Sequence, residues 1–377
     1  MYYFDYAATT PVKPPVAEAM VRALTAEFGN PSSQYPLGRA ARDRLAADRA
    51  AVAGALGCRP EDLFFTSCGT ESDNWAIRAA LHLGRHRGKH IVTTAVEHSA
   101  VLELCKSLAR EGYDVTFLQP DSRGRITAEQ VESALREDTV LVSVMAVNNE
   151  TGNVYPVAEI ARLLQARKSR ALLHTDAVQA FLKVPGEAFR GADLISLSAH
   201  KIGGPKGVGA LYAAPAIQSK LVPLLYGGGQ ERGLRSGTEA TAQIAGFAEA
   251  VRQRAARLSN ILTHTAAMQA YARERLLAIP GLKLLGTPEA PHILCCTLPG
   301  YPSQNLVEDL GAQGICISAG SACHRGKPSH VVAALRLSKK EAAGAFRVSF
   351  GEDTAKEDVD ALCAAVEAHR ASRFPML

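Results

Sequence analysis

One lysine of the sequence stands in a setting that favours covalent chemistry. Lys201 follows a predicted strand in the segment SLSAHKIGGPKGVGAL and precedes a run of glycines. A lysine held at a strand end beside a polar cleft can form a Schiff base with an aldehyde cofactor, and Ser198 and His200 beside it can bind a phosphate group. A glycine-rich surface turn would explain this segment alone, but it leaves the residues described next unexplained.

A carboxylate ends another predicted strand earlier in the chain. Asp176 lies in HTDAVQA, at the edge of the sheet where α/β proteins bind ligands. A buried carboxylate there needs a cationic partner, and the protonated ring nitrogen of pyridoxal phosphate would be one. Gln179 follows closely and can reach the hydroxyl group of that ring. An aspartate that caps the next helix is the ordinary alternative.

A third strand end has the pattern of a phosphate-binding turn. In FTSCGTESDN, Gly69 permits a tight turn, and Thr70, followed by Glu71, opens a predicted helix. The free N–H groups at a helix N-terminus bind phosphate well. A capping box between Thr70 and Asp73 explains the same letters structurally, and it is compatible with phosphate binding.

Two more predicted strands are followed by polar side chains. His98 lies in VEHSAV, where an imidazole ring can stack on a planar cofactor, and Asn149 lies in VNNETGNVYP. A solvated loop histidine and a simple turn are the ordinary alternatives for the two residues taken alone. The recurrence of such groups at one strand end after another favours a shared site.

One cysteine has neighbours that favour a nucleophile. Cys323 lies in CISAGSACHRGKPSH, among small residues and beside His324, Arg325 and Lys327. Nearby cations favour the thiolate, and a loop lets one thiol reach first a substrate and then a partner. The other cysteines are expected to be inert, because they lie in predicted strands or helices or in loops that lack the basic setting of Cys323. Arg347 in AFRVSF is an arginine within a predicted strand, which needs a carboxylate from the protein or from a ligand.

The elements that must position these residues alternate between strand and helix through the first two thirds of the chain. This alternation predicts a mostly parallel sheet covered by helices on both faces. A long helix is predicted next, from about Glu239 to Ala278, followed by shorter strands and helices. We place a domain boundary inside that helix, so that residues 15–255 form a large domain and residues 1–14 with 256–377 form a small one.

Length and composition exclude several classes of protein. The chain has 377 residues, 47% hydrophobic and 21% charged, which are ordinary values for a globular protein. Its net charge of +5 is spread along the chain and gives no case for nucleic acid binding. No apolar run is long enough for a membrane span and no signal pattern is present, so a cytoplasmic protein is expected. Its eight cysteines should then stay reduced, and no ligand spacing predicts a metal site.

The motifs together resemble a known family. FTSCGTESDN, VEHSAV, VNNETG, HTDAVQA, SLSAHKIGGPKGVGAL, GGGQERGLRSGT and GSACHRG occur in order over nearly the whole chain, as in the cysteine desulfurases (NifS/IscS-like) of the class V aminotransferases. The resemblance implies an α/β protein, a fold-type-I pyridoxal phosphate enzyme. Its large domain would hold a mostly parallel seven-stranded sheet, beside a smaller C-terminal α/β domain. The resemblance also implies a homodimer.

The resemblance further implies roles for residues of this chain. Lys201 would hold the cofactor covalently and remove a substrate proton, Asp176 would pair with the ring nitrogen, and His98 would stack on the ring and shuttle protons. Asn149 and Arg347 would bind the substrate. The other implied contacts with the cofactor come from Gly69, Thr70, Glu71, Asn149, Gln179, Ser198, His200 and, from the other subunit, Thr238.

The implied reaction converts L-cysteine to L-alanine. The Cys323 thiolate would take the sulfur as a persulfide and pass it to an acceptor protein, either an iron–sulfur scaffold or a thiolation enzyme. Cys323 could then contact a nascent iron–sulfur cluster, while no resident metal is expected. The sequence departs from the family at His324, which either depresses the pKa of Cys323 or faces solvent, and at Gln230, where a histidine is common. It also ends soon after its last helix, in the region where longer relatives dock an iron–sulfur scaffold.

Two other enzymes would keep the same cofactor. A selenocysteine lyase would release alanine from selenocysteine but hardly from cysteine, and another class V aminotransferase would need a keto acid and no Cys323. A third alternative is a scaffold without cofactor or activity on the same fold. The intact set of Lys201, Asp176 and His98 argues against that alternative.

Overall fold

The computed structural model describes residues 1–319 and 329–375. Cys323 and its basic neighbours therefore lie outside the described residues. The strands in these ranges are β1 (Tyr2–Tyr3), β2 (Leu63–Thr66), β3 (His90–Thr94), β4 (Asp114–Leu118), β5 (Thr139–Ser143), β6 (Leu172–Asp176), β7 (Leu194–Ser198), β8 (Gly209–Ala213), β9 (Lys283–Leu284), β10 (Ile293–Thr297), β11 (Ile315–Cys316), β12 (Ser318–Ala319) and β13 (Ala345–Ser349).

The helices in the same ranges connect and cover these strands. They are α1 (Pro14–Thr25), α2 (Pro36–Leu56), α3 (Gly69–Gly84), α4 (Ser99–Arg110), α5 (Ala128–Ala134), α6 (Val157–Ala166), α7 (Pro215–Gln218), α8 (Thr241–Ala256), α9 (Leu258–Leu277), α10 (Ser303–Ala312), α11 (His330–Ala334), α12 (Lys339–Ala343) and α13 (Lys356–Ser372). None of the helices described here combines the length and the apolar character that crossing a membrane requires.

Seven strands form the central sheet, in the order β2-β8-β7-β6-β5-β3-β4. Strand β8 is antiparallel to both of its neighbours, and the remaining pairs are parallel. The predicted sheet of seven mostly parallel strands is therefore confirmed. The strands are short apolar segments of the chain. Both faces of most of these segments are buried, as a mostly parallel sheet requires.

Alternate residues of the strands serve two separate cores. Ile91 and Leu194 face the core that contains α3 and α4, while Val92, Leu173 and Ile195 face the core that contains α2, α6 and α8. Successive side chains of a strand point to opposite faces, so the two cores share the sheet as a common wall. Helices on both faces leave only the strand ends open to ligands.

A second, antiparallel sheet has the order β12-β13-β10-β9 and packs against α9, α10 and α13. The first residues of the chain join this region. Strand β1 pairs in parallel with β11, with Tyr2 opposite Ile315, and Asp5 forms an isolated bridge with Ser349. The N-terminal arm thus runs from the second sheet towards the central one.

The prediction of one long helix between residues 239 and 278 is wrong, because two helices occupy this stretch. It is divided at Arg257, whose backbone (φ −119°, ψ 13°) separates α8 from α9. Phe247 of α8 is buried in a core of the central sheet, whereas Met268 of α9 is buried against the second sheet. Each half follows its own core, and the sequence pattern alone does not show this change of direction. The domain boundary at residue 255 stays a prediction.

The carboxyl ends of the parallel strands β3, β5, β6 and β7 meet at one edge of the central sheet. The turn from β2 into α3 reaches the same edge, because β2 runs antiparallel to β8 and β8 antiparallel to β7. Side chains that follow these strands are therefore neighbours in space, although the sequence separates them widely.

Candidate active site

A cavity of about 570 Å³ opens at this edge of the central sheet. Loops after the central strands form one side of it, and Ser318 of β12 and Arg347 of β13 contribute to the other. The predicted site residues that it brings together are Gly69, Thr70, His98, Asn149, Asp176, Gln179, Ser198, His200, Lys201 and Arg347. Most of the expected site thus shares one enclosed space.

Lys201 ends a single 3₁₀ turn that follows β7. Its Nζ donates hydrogen bonds to the carbonyl oxygens of Ala7 and Ala8, at 2.9 and 2.7 Å. Burial, and then the nearby Arg347 guanidinium, lower the pKa of Lys201 to about 8. A useful fraction of Lys201 is therefore the free amine near neutral pH, the form that acts as nucleophile or base.

Two buried carboxylates lie side by side in the cavity wall. Asp176 ends β6 and accepts a hydrogen bond from the N–H of Val178 at 2.9 Å. Polar side-chain atoms of Asp176, Asp73 and His98 all lie within 4.8 Å of one another. Burial, and then the charge of Asp73, raise the pKa of Asp176 to about 6, and burial raises that of Asp73 to about 7. Two negative charges on this pair of carboxyl groups would repel each other, so the second group ionises readily only when a cation is nearby.

The imidazole of His174 does not provide that cation. Its Nδ1 lies 2.9 Å from Oγ of Ser143 and its Nε2 lies 3.0 Å from Oγ of Ser196. Burial lowers the pKa of His174 to about 4, so the ring is neutral at pH 7. Oδ1 of Asp73 lies 3.5 Å from Nε2 of His174 and has no hydrogen-bond partner among the described residues.

Asp73 does not form the helix cap that the sequence suggested. The capping box between Thr70 and Asp73 is wrong, because α3 begins at Gly69 after Cys68 and no described side chain caps it. Asp73 instead turns inward and is only 1% exposed. An aspartate one turn into a helix is an ordinary surface residue in sequence, so nothing there signalled its burial beside Asp176.

The N-terminus of α3 faces the cavity and is suited to an anion. Its first N–H groups have no partners within the helix. Oγ of Ser198 nearby is buried and has no hydrogen-bond partner among the described residues. A Cβ on Gly69 would approach Cγ2 of Val178 to 2.9 Å, so glycine keeps this corner open. Burial, and then Lys201, lower the pKa of His200 to about 4, which leaves a neutral ring there.

His98 stands at the mouth of the cavity, exposed, as the N-cap residue of α4. Its Nδ1 accepts a hydrogen bond from the N–H of Ala100 at 3.2 Å. A ring nitrogen that accepts a hydrogen bond carries no proton, so the neutral ring bears its proton on Nε2. The helix cap therefore fixes both the orientation and the tautomer of the ring.

Arg347 reaches the cavity from the second sheet. One terminal nitrogen donates to the carbonyl oxygen of Asn149 and the other to Oδ1 of Asp5, both at 2.7 Å. Its Nε is buried and has no partner among the described residues. Sequence reasoning assigned no role to Asp5, because the ion pair joins residues at opposite ends of the chain.

Two predicted cofactor ligands do not line this cavity. Glu71 accepts hydrogen bonds from the Arg235 guanidinium and from the N–H of Ser67. Burial alone would raise the pKa of Glu71, but these hydrogen bonds outweigh it and lower the pKa. Thr238 is exposed, and its expected contact concerns a second copy of the chain. Both assignments stay predictions.

The chain on both sides of the undescribed segment lines the cavity, with Ser318 before it and Ser329 and His330 after it. Oγ of Ser329 donates to Oε2 of Glu150 at 2.5 Å, and Nε2 of His330 lies 2.7 Å from the carbonyl oxygen of Glu97. The segment that carries the predicted nucleophile is therefore attached at the cavity wall at each end.

Four of the described cysteines are buried, whereas Cys68 lines the cavity. Burial raises the pKa of Cys105 and Cys295 to about 12 and that of Cys363 to about 11, so these thiols stay protonated. Cys68 differs, because it precedes α3 and lines the cavity. Sequence reasoning assigned Cys68 no role, since no basic residue stands beside it in the chain.

The family profile described as Aminotransferase class-V matches residues 2–362. The chain belongs to the aminotransferase class V family. A cysteine desulfurase IscS of Methanosarcina thermophila is 39% identical over 363 residues, which cover 95% of this chain and 89% of that protein. Family membership and this identity confirm the expected enzyme class, a pyridoxal-phosphate-dependent cysteine desulfurase.

Solved structures give the same result for the fold of this class V member. A NifS-like protein superposes with a TM-score of 0.92 at 35% identity, covering 98% of this chain and 99% of its own. The structure of SspA in complex with cysteine has a TM-score of 0.81 at 34% identity, covering 94% of this chain and 100% of its own. The expected α/β fold of fold-type-I enzymes is therefore confirmed.

Proposed function

We propose that this chain converts L-cysteine to L-alanine in the cavity and holds the released sulfur as a persulfide on Cys323. The observation that carries the proposal is the placement of Lys201, Asp176 and Arg347 around one cavity. A lysine, a carboxylate for a ring nitrogen and a cation for a substrate carboxylate are what a pyridoxal phosphate enzyme needs to act on an amino acid. The similar SspA, solved in complex with cysteine, supports the choice of amino acid.

The groups that lack partners fit pyridoxal phosphate at both of its ends. The buried carboxylates Asp73 and Asp176 have no lysine or arginine paired with them in the described part of the chain, and a protonated ring nitrogen would supply a cation. The unpartnered Oγ of Ser198 and the N-terminus of α3 suit a phosphate. Lys201 would bond the aldehyde carbon, His98 would cover the ring, and Thr70, Ser198 and His200 would hold the phosphate.

When bound, the cofactor supplies an electron sink that stabilises negative charge on the α-carbon of the substrate. The amine of Lys201 then serves as the base that takes the α-proton, for which its lowered pKa is suited. Nε2 of His98 faces away from its helix cap and is the second group that can deliver or accept a proton. Two positioned bases at the cavity allow protons to leave one carbon and return to another.

Arg347 and Asn149 would orient the substrate. The buried, unpartnered Nε of Arg347 can donate to a carboxylate oxygen while Asp5 and the Asn149 carbonyl hold the terminal nitrogens. A guanidinium that is held in this way loses little freedom on binding. The substrate carboxylate would thus be fixed before its α-carbon meets Lys201.

The sulfur step needs Cys323. Its thiolate attacks the substrate sulfur, an S–S bond forms, and the C–S bond of cysteine breaks with its electron pair left on carbon. A proton replaces the sulfur on that carbon and gives alanine, so L-cysteine and the enzyme thiol become L-alanine and the enzyme persulfide. An acceptor protein then takes the outer sulfur. Thiols in this role must stay reduced, which fits a cytoplasmic location.

The acceptor and the assembly are part of the same proposal. Relatives named IscS support an acceptor in iron–sulfur cluster assembly, and a thiolation enzyme would use the same persulfide. A homodimer would bring Thr238 of one copy to the cavity of the other, and the exposed Leu24 and Phe28, at and after the end of α1, offer apolar surface for it. The division into residues 15–255 and 1–14 with 256–377 would place the sheet and the cysteine segment in separate domains.

Variants of the two thiols at the cavity test the proposal. Purified protein should be yellow with bound cofactor, and borohydride should fix the cofactor to Lys201. With cysteine as substrate, Cys323→Ser should form alanine at least about 100-fold more slowly than the wild type, because no other thiol takes the sulfur. Alanine and sulfide are measured together, with selenocysteine as a parallel substrate.

Cys68→Ser is the matched control, because Cys68 is the described thiol that lines the cavity. It should retain most of the alanine formation and the persulfide. If Cys323→Ser kept the wild-type rate while Cys68→Ser lost it, the nucleophile would be Cys68. If both variants kept the rate with a keto acid as acceptor, the reaction would be a transamination.

A further inference from the structure

A lysine that has no carboxylate partner among the described residues is buried behind the cavity. Lys183 follows β6 and is 3% exposed. Its Nζ donates a hydrogen bond to Oε1 of Gln179 at 2.6 Å. The charged groups that act on Lys183 are Arg254, Lys201 and Arg347, all of them cations. Nothing in the proposed reaction uses this amine, and burial of a charged amine without a paired carboxylate costs stability.

The partner of Lys183 is the amide of Gln179. Oε1 of that amide also lies 3.3 Å from Nε2 of His292, and Nε2 of Gln179 donates to the carbonyl oxygen of Ala7 at 2.7 Å. Nδ1 of His292 has no partner among the described residues, so the ring proton belongs on Nε2, where an acceptor is present. Two donors therefore converge on the oxygen of Gln179 and one acceptor faces its nitrogen.

This arrangement permits one orientation of the amide. Turning the amide by 180° would place its NH₂ group against Nζ of Lys183 and its oxygen against the carbonyl oxygen of Ala7. Both contacts would then pair like with like, donor with donor and acceptor with acceptor. The orientation holds for either charge state of Lys183, because the turned amide would in both cases place its oxygen against the carbonyl oxygen of Ala7.

Burial, and then Arg254, lower the pKa of Lys183, and burial lowers that of His292. The loss of charge does not remove the donors. It reduces the repulsion between Lys183 and Lys201, which donates to the same carbonyl oxygen of Ala7 as Gln179 does. Lys183, Gln179 and Lys201 thus form one hydrogen-bonded chain through Ala7.

We propose that Lys183 is a positioning residue, which fixes the amide of Gln179 so that its second N–H faces the cavity as a donor. The inference rests on the proposed function and on the contact, predicted from the sequence, between Gln179 and the ring hydroxyl of pyridoxal phosphate. A donor at that oxygen withdraws electron density from it. The oxygen then stabilises a proton on the neighbouring nitrogen of Lys201 less strongly, and that nitrogen loses its proton at lower pH.

The test is a pH titration of the visible absorption of the bound cofactor. Lys183→Met removes the donor but keeps the shape of the side chain, and the pH midpoint should rise by about one unit, a tenfold change in the proton equilibrium. Gln179→Ala should raise the midpoint by a similar amount. In the Gln179→Ala background, Lys183→Met should add almost nothing, because its effect passes through the amide. Lys220→Met, the same change at an exposed lysine, should leave the midpoint unaltered.

Gln179→Glu covers the case in which Lys183→Met does not fold. It keeps an acceptor for Lys183 and removes the donor from the cavity, so the midpoint should again rise. A midpoint within about 0.2 units of the wild type in Lys183→Met, or full additivity with Gln179→Ala, would overturn the positioning role. Failure of the proposed function is separate, because a wild-type protein that borohydride does not label at Lys201 would have no midpoint to shift.

Discussion

The two sides of the cavity hold buried groups of opposite kind. On the acidic side, Asp73 and Asp176 have no lysine or arginine paired with them among the described residues, and burial raises the pKa of both. On the basic side are Lys183, Lys201 and Arg347, of which only Arg347 is bonded to a described carboxylate. Burial lowers the pKa of both lysines. The two carboxylates and the two lysines are thus driven towards neutrality by burial, and nearby like charges add to the effect at Asp176 and at both lysines.

This difference explains what the cavity is built to bind. A ligand with a cationic nitrogen at one end of a ring and an anionic oxygen nearer the lysines would restore charge to both sides at once. Pyridoxal phosphate has that polarity. The binding energy would come in part from relief of like-charge pairs, which cost the empty protein stability and favour the loaded one.

The largest change is expected from removing the carboxylate that we propose to pair with the ring nitrogen. Asp176→Ala should lower the rate of alanine formation by about 10³-fold, because an unprotonated ring withdraws electrons poorly. The rate is measured at saturating cofactor. Asp176→Glu, which keeps the carboxylate, should recover part of it, and equal rates in the two variants would contradict the role of charge.

A smaller loss is expected on the basic side. Arg347→Lys should lower kcat/KM for cysteine by about 100-fold, because an ammonium group cannot keep the contacts with Asn149 and Asp5 and also donate to a carboxylate. The KM should carry most of the change. If kcat fell while KM stayed constant, Arg347 would act in the chemical step and not in substrate binding.

Asp73→Asn tests the cost of the paired carboxylates in the protein without cofactor. The pKa of Asp73, about 7, is raised above its unfolded value, so its contribution to stability is present below about pH 4 and is lost as the pH rises through 7. The asparagine variant lacks this loss. Its free energy of unfolding relative to the wild type should therefore increase steadily between about pH 4 and pH 7.

Urea titrations of both proteins at each pH would measure the difference. Asp193→Asn is a useful comparison, since burial also raises the pKa of Asp193 but no described carboxylate is paired with it. A difference that stayed constant with pH in Asp73→Asn would mean that ionisation of Asp73 does not cost stability in the protein without cofactor.

The smallest effect is expected at Asp5. Asp5→Asn keeps a hydrogen-bond acceptor for Arg347 but removes the ion pair, and KM for cysteine should rise by about threefold as the guanidinium loses its fixed position. The kcat should stay within about twofold of the wild type. A lower KM would show instead that Asp5 competes with the substrate carboxylate for Arg347.

Sequence patterns predicted the strands and the residues directly after them, because short apolar runs mark buried strands and the chain turns where they end. Lys201, Asp176, Gln179 and His98 were found in this way. Asp73 and Lys183 were not, since each lies away from a strand end. Asp5 also escaped, because its contact with Arg347 depends on β1 lying beside the second sheet.

The same limit applies to the break between α8 and α9. Helix propensity predicts an uninterrupted helix wherever successive residues favour the helical conformation, and no residue near Arg257 strongly disfavours that conformation. The break depends on which core each half packs against, and that is decided by the pairing of strands far from it. Local signals thus identified the catalytic candidates better than the path of the chain between them.

The N-terminal arm affects the order in which the central sheet and the cavity can form during synthesis. Residues 2–9 leave the ribosome long before residues 315–347, yet Tyr2 pairs with Ile315, Asp5 bonds Arg347, and the carbonyl oxygen of Ala7 accepts a hydrogen bond from Lys201. The central sheet can form while translation continues, since all its strands precede residue 214. The catalytic pocket cannot close until the last strand has emerged. A nascent chain would therefore form its central sheet well before its cavity, and cofactor capture would wait until residue 349 has emerged.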